Sequence, residues 1–297
     1  LRQKEADVAH INNIGTALYS ASPILALRRI PRVLVIWGSG MPGIGPFSSD
    51  FRFRLARVFA RRAERIIGLS SRTVRYLVQQ GFPEERVGFI PNGVDLGRFE
   101  NEPERGAGTR PEGWPLENPV VVTIGRMVYE KGFPDLLQAW AILKSHGIHG
   151  HLVFVGDGLL RQDLERRVEE LDLEESVTFA GERDDVIRCL RHSDVFVSSS
   201  ISEGMSNAIL EALGAGLPLV ATDVGGASDI LTDGVNGYLV PPASPEALAK
   251  KLEALLLDPE VRRAFGEESG NKARTSFSIQ TVVRRYVELY RSLSDSC

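Results

Sequence analysis

The strongest constraint on this chain is an alternation of two periodicities. Short β-branched runs, bounded by glycine, proline or aspartate, are separated by segments with apolar residues at helical spacing. Residues 119–125, 151–156, 176–181, 194–200, 217–223 and 237–242 read as strands, and 133–144, 159–171, 184–192, 206–214, 226–232 and 245–257 as helices. The front of the chain repeats the pattern more sparsely, with strands at 32–38, 65–70 and 86–93 and helices at 51–64 and 71–80. Strands that alternate with helices of this length imply βαβ units, right-handed crossovers and buried parallel sheets. The predicted class is α/β, with two Rossmann-like, doubly wound domains. In such sheets ligands bind beyond the carboxyl ends of the strands, so residues just after strands carry the functional information.

The stretch 100–119, "ENEPERGAGTRPEGWPLENP", is rich in proline, glycine and charge and reads as a linker. It divides the chain into a first domain over 1–108 and a second over 109–277. The first is short for a nucleotide-binding fold, and Leu1 is not an initiator methionine; the expectation is either a fragment lacking its opening strands and glycine-rich turn or an unusually small example of the fold.

Bulk properties exclude several classes. Hydrophobic content of 43% with 25% charge suits a folded, water-soluble chain. No apolar run approaches the roughly 20 residues that span a bilayer, and no signal peptide is visible. Two cysteines, Cys189 on a predicted helix and Cys297 at the end, argue against a disulfide framework and for a reducing cytoplasm. The net charge of −4 is unevenly placed: residues 1–100 hold 15 Lys and Arg against 8 Asp and Glu, and the remainder 20 against 31. Much of the positive excess lies on the helix predicted from "FRFRLARVFARRAERI" (51–66). Its arginine face is either simply solvated or a peripheral contact, through 51–65, for anionic lipid or an acidic acceptor. No interleaved aromatic and basic motif points to nucleic acid.

Two strand-to-helix loops concentrate chemistry. In "GRMVYEKGF" (125–133), Gly125 permits a tight exit, and Arg126 and Lys131 leave one loop with the fork and point charge that suit a diphosphate. An ordinary solvated loop would carry the same residues. In "SSSISEGMSNAILEALGAG" (198–216), Ser206 or a neighbour can cap a helix, leaving amides at Gly204, Met205, Ser206 and Asn207 for an anion. Asn207 and Glu211 lie one turn apart on one helix face, while Glu203 stands outside it. Two acceptors so placed can read hydroxyls on two rings of one ligand. The competing reading is a capping acid and a solvent-facing acid, although Glu211 sits among Ile209, Leu210, Ala212 and Leu213. "TDVGGASDIL" (222–231) adds a Gly225–Gly226 turn. "HGIHGH" (146–151) reads as a loop of exposed imidazoles rather than a metal site, and His192 and Cys189 as helix-packing residues. The sequence contains no Asp-x-Asp pair, so a metal-bridged diphosphate is not expected and no metal ligand is assigned.

In order along the chain, "NGVDLGRF" (92–99), "GRMVYEKG" (125–132), "VGDG" (155–158), "FAGERDDV" (179–186) and "SEGMSNAILEALGAGLPLVATDVGG" (202–226) resemble the large family of retaining, nucleotide-sugar glycosyltransferases with the GT-B fold. The resemblance runs from residue 65 onward. It implies that Arg126 and Lys131 hold the donor diphosphate, that Glu211 takes the ribose hydroxyls, and that Glu203 binds the transferred sugar. It further implies that amides around Gly204, Met205 and Ser206 touch sugar and phosphate, and that 181–186, with Glu182 and Arg183, borders the nucleobase. The helix at 278–293 is similar to the terminal helix that returns to the first domain, so 278–297 is assigned there. No cofactor is implied beyond the nucleoside-diphosphate sugar, a substrate; the acceptor is a saccharide, a lipid-linked molecule or a small molecule. Family members carry a His-Gly at a first-domain strand end, where "VLVIWGSG" (33–40) has Trp37; His10, in "ADVAHINN" (6–13), marks another strand end of the family. The departure keeps an alternative open, a nucleotide-sugar-binding subunit or truncated form with little or no turnover.

Overall fold

A computed structural model of the protein describes residues 6–12, 22, 24–37, 58–100, 111, 114 and 119–295. It divides into two compact units, Leu1–Asn92 with Gln280–Cys297, and Gly93–Ile279. The division falls at 92/93, ahead of the residue-108 boundary expected from composition. The cause is local: Val94 N donates to Phe277 O at 2.8 Å, Ile279 N donates to Val94 O at 2.9 Å, and Phe99 is buried. Most of the proposed linker and residues 51–57 of the arginine-rich helix lie outside the described residues; 58–60 are helical.

Among the described residues, the first unit contains four parallel strands in sequence order, β1 (Ala9–Asn12), β2 (Arg32–Ile36), β3 (Arg65–Gly68) and β4 (Val87–Phe89). Every residue of β2 is buried, as expected for a strand covered on both faces. Ile11, Leu34, Ile36, Ile66, Leu77 and Phe82 form its core. The helix Ser71–Gln79 begins where Ser70 Oγ accepts from Thr73 N at 3.1 Å, a side-chain cap. Arg32 is buried at the start of β2, yet satisfied: its backbone N and guanidinium donate to the Glu64 carboxylate at 2.7–3.2 Å, and Nη2 reaches Arg62 O at 2.6 Å.

Among the described residues of the second unit six strands are all parallel: β5 (Val120–Ile124), β6 (His151–Val155), β7 (Val177–Gly181), β8 (Val195–Ser198), β9 (Leu219–Thr222) and β10 (Gly237–Val240). Their spatial order is β7-β6-β5-β8-β9-β10. The chain therefore grows outward from β5 in one direction, then restarts beside β5 and grows in the other. Alternate residues Val121, Leu152, Phe154, Val195, Val197 and Val220 meet the helices Phe133–Ser145, Arg161–Glu170 and Pro245–Leu257 in one cluster. The intervening Val122, Val153, Phe196 and Ala221 are buried as well, so the sheet is covered on both sides.

Most expected elements are present with trimmed ends. The predicted strand at 86–93 shortens to Val87–Phe89, and the helix at 226–232 to Ala227–Ile230. Sequence periodicity missed the helix Pro259–Lys272, whose start is signalled by Asp258, a side-chain cap on Glu260 N and Val261 N at 3.0 Å, with proline at the first helical position. His10 is the second residue of β1 rather than at its carboxyl end; its Nδ1 is bonded to the Tyr290 hydroxyl and its Nε2 lies 3.1 Å from Asn12 Oδ1. The histidines of 146–151 do not converge on a common point: His146 faces Glu253 at 3.5 Å and His151 bonds Thr178 at 2.8 Å.

Burial alone would raise the Glu64 carboxyl, but the hydrogen bonds and charge of Arg32 outweigh it and hold the group below its usual range. A depressed folded-state pKa adds stability above the unfolded-state value, and that stability is lost as the pH falls through the folded one. Glu64→Gln is therefore expected to be less stable than the wild type at pH 7, with the gap closing as urea titrations are repeated below about pH 4. A gap that stays constant with pH would show that the charge is not what matters.

Candidate functional site

The order of the second sheet reverses between β5 and β8, so the crossovers that follow these neighbours pass to opposite faces, and their carboxyl ends mark the switch point where such sheets bind ligands. The loop after β5 is held from beside: Gly125 N donates to Val155 O at 3.0 Å and Met127 N to Asp157 O at 2.8 Å. It ends in a 3-10 turn, Tyr129–Lys131, and then Gly132 at φ 61°. Any Cβ at Gly132 would lie 2.1 Å from Ser199 O, so only glycine allows the β8 loop to approach this closely. The two loops are tied together there, with Ser199 Oγ donating to Lys131 O at 2.9 Å and Ile201 N to Glu130 O at 2.9 Å.

That seam brings Lys131 and Glu203 together. Their side chains form an ion pair, each about one-fifth exposed (21% and 18%), and Ser200 Oγ adds a bond to Glu203 Oε1 at 3.1 Å. The backbone at Glu203 and Gly204 is gripped from behind by the turn after β9. Gly226 N donates to Gly204 O at 2.7 Å, and Gly225, at φ 55°, sits where a Cβ would fall 2.3 Å from Gly204 O. Thr222 Oγ1, on β9, fixes Ser200 O at 2.5 Å. Ser206 caps the helix Asn207–Gly214, its Oγ accepting from Ile209 N at 3.5 Å; Met205 and Ser206 are buried and Asn207 is exposed. The amides of Gly204 and Met205 have no acceptor among the described residues.

The remaining sequence candidates take separate partners. Arg126 is exposed, with no ion pair among the described residues. Glu211 is one turn from Asn207 and half-buried, and it pairs with Arg98 at 3.0 Å. Arg98 belongs to "NGVDLGRF" (92–99), and nothing in that spacing points to Glu211. Arg183 donates to both oxygens of Asp185 at 2.7 Å, which raises the pKa of the guanidinium and lowers that of the carboxyl, while Glu182 is exposed. Burial pushes the Cys189 thiol up to about 11, in keeping with a packing role. Chemically, these loops offer a cation, an acceptor and backbone donors side by side, the groups needed to hold a polar, anionic molecule.

Residues 107–272 match the family described as Glycosyl transferases group 1, and residues 1–98 match Glycosyltransferase Family 4. The chain is 34% identical over 178 residues to the lipopolysaccharide core biosynthesis glycosyltransferase LpsE of Rhizobium meliloti (strain 1021), covering 60% of this chain and 51% of LpsE. It is 30% identical over 251 residues to the 2-deoxystreptamine glucosyltransferase of Streptomyces kanamyceticus, covering 80% and 65%. The chain thus spans about half the length of LpsE and 65% of the second relative. Among solved structures it resembles Anabaena Alr3699/HepE in complex with UDP and glucose, with a TM-score of 0.80 at 25% identity over 96% of this chain and 78% of that one. A glycosyltransferase from Rickettsia africae ESF-5 superposes with a TM-score of 0.82 at 20% identity. These structural neighbours have the GT-B fold, the α/β class predicted from sequence.

Gly225→Ala tests the grip on the backbone at Glu203 and Gly204. It is expected to cost about 1–3 kcal/mol in urea unfolding, because a positive φ and a carbonyl contact are both violated. A loss below about 0.5 kcal/mol would mean that the turn yields freely.

Proposed function

The chain belongs to the glycosyl transferases group 1 family, and on that premise we propose that it moves a sugar from a nucleoside-diphosphate sugar to an acceptor, with retention of anomeric configuration and without a metal ion. The observation that carries the reading is the Lys131–Glu203 pair at the β5/β8 switch, beside the amides of Gly204 and Met205 and the start of a capped helix. Breaking the anomeric C–O bond leaves negative charge on the departing diphosphate and positive charge on the sugar. Lys131, Arg126 and the amides stabilise the first as it develops; Glu203 steadies the sugar. An arriving diphosphate, carrying more negative charge than one carboxylate, competes for Lys131 and frees Glu203 for sugar hydroxyls. Glu211 accepts from the ribose, and 181–186, with Glu182 and Arg183, lies along the base. Side-chain cations supply the positive charge that a divalent ion would otherwise contribute, which supports metal independence. Retention and the roles in the Glu-x7-Glu element rest on the motif resemblance.

The relatives' names, lipopolysaccharide core biosynthesis and 2-deoxystreptamine glucosylation, span the acceptor classes considered: saccharide, lipid-linked molecule or small molecule. No helix among the described residues is long and apolar enough to cross a membrane. We place the chain in the cytoplasm, with peripheral contact at the inner membrane face through 51–65.

One observation favours a second reading, a nucleotide-sugar-binding chain with little turnover. Trp37 directly follows β2, half exposed at 50%, at the strand end where the motif resemblance implies histidine. Donor turnover by the wild type, compared with Trp37→His, separates the two: activity in the wild type supports the enzyme, and activity only in the variant supports the binding chain.

Calorimetry with UDP and GDP tests the site directly. Lys131→Ala is expected to lose at least about tenfold in affinity for whichever nucleotide binds, the weight of one charged hydrogen bond. Wild-type-like binding by that variant would remove Lys131 from the phosphate site, and NMR of the product anomer together with chelator addition tests retention and metal independence.

A further inference from the structure

The residue that holds Glu211 lies 113 positions earlier in the chain, on a support built with care. Asp95 caps the 3-10 turn Leu96–Phe99, its carboxylate accepting from Gly97 N at 3.0 Å. Phe99 is buried against the helix Asn207–Gly214: a Cβ at Gly214 would come within 3.1 Å of Phe99 Cε2 and of Val94 Cγ2. Arg191 stacks over the Phe99 ring at 5.6 Å and donates to Phe99 O at 3.2 Å. Glu211 and Gly214 are three residues apart, so they share one helix face. Phe99 therefore pins the turn at position 214, and Arg98 Nη1 reaches Glu211 Oε1 at 3.0 Å.

An ion pair whose arginine is 49% exposed contributes little to folding, yet this arginine is anchored on both sides in sequence. We propose that Arg98 is a positioning residue for the nucleotide ribose: it fixes the rotamer of Glu211, and the carboxylate so held accepts from the ribose hydroxyls. The inference rests on the ribose role given to Glu211 above. A carboxylate offers about four acceptor sites, so one bond from Arg98 leaves capacity for two hydroxyls. A flexible glutamate would have to be ordered by the ligand itself, at a cost in rotamer entropy; Arg98 meets that cost before the ligand arrives.

The test compares UDP and GDP, whichever the wild type binds more tightly, with the matching 2′,3′-dideoxynucleoside diphosphate. Calorimetry is run on wild type, Arg98→Gln, Arg98→Lys and Glu211→Gln. We expect wild type to prefer the ribonucleotide by about tenfold or more. Arg98→Gln should bind the dideoxy ligand as wild type does but lose most of the preference, and Arg98→Lys should recover part of it. Two outcomes overturn the proposal. Arg98→Gln could keep the full hydroxyl preference, or it could weaken both ligands equally, which is what a merely structural or long-range electrostatic role would do. If the wild type shows no preference, or Glu211→Gln keeps it, the ribose role of Glu211 itself fails, and the assignment of Arg98 falls with it. Melting temperatures of the variants within a few degrees of wild type confirm that folded proteins are being compared.

Discussion

Burial of β5 between two parallel neighbours is the constraint from which the candidate site follows. A strand covered on both faces and paired on both edges can be reached only at its ends, and in open α/β sheets ligands bind at the carboxyl one. Because the chain builds β6 and β7 to one side and β8 to β10 to the other, the crossovers that follow β5 and β8 pass to opposite faces of the sheet. Ligand chemistry in this unit is thus confined to a few residues by topology, before any side chain is considered.

Close backbone approach then turns the opening into a site. Gly132 lets the β8 loop lie against the β5 loop, and Gly225 lets the β9 turn lie against Glu203 and Gly204. Three successive loops brace one another through backbone carbonyls, so the Lys131–Glu203 pair sits on a support that carries little of its own freedom. Lys131 and Glu203 are each mostly shielded from solvent, where charges interact more strongly than on the open surface. Within the pair each charge is the other's partner.

Much of this was legible in the residues. Alternating periodicities set the class and nearly all of the second sheet, since short β-branched runs such as 119–125, bounded by proline and glycine, favour strands buried on both faces. Lys131 and Glu203 could be named because strand-end loops are where such folds do chemistry. What could not be read was the pairing: sequence spacing says nothing of Arg98 meeting Glu211, a contact made by folding two distant segments together. The helix Pro259–Lys272 was missed because its apolar periodicity is weak, although Asp-Pro-Glu announced its start. The unit boundary was placed by composition, whereas the chain obeys packing: Val94 and Phe99 are apolar and bury themselves in the second unit ahead of the linker.

The bridge between Val94 and Ser278 brings the entry and the exit of the second unit side by side. A body whose two ends meet this way is closed on itself. Its covalent strands leave as a paired seam, so excision of 93–279 would cut the chain at one place on its surface. Joining the two cut ends with a short peptide would need no stretching of the backbone, and new termini opened elsewhere would leave the sheet order unchanged.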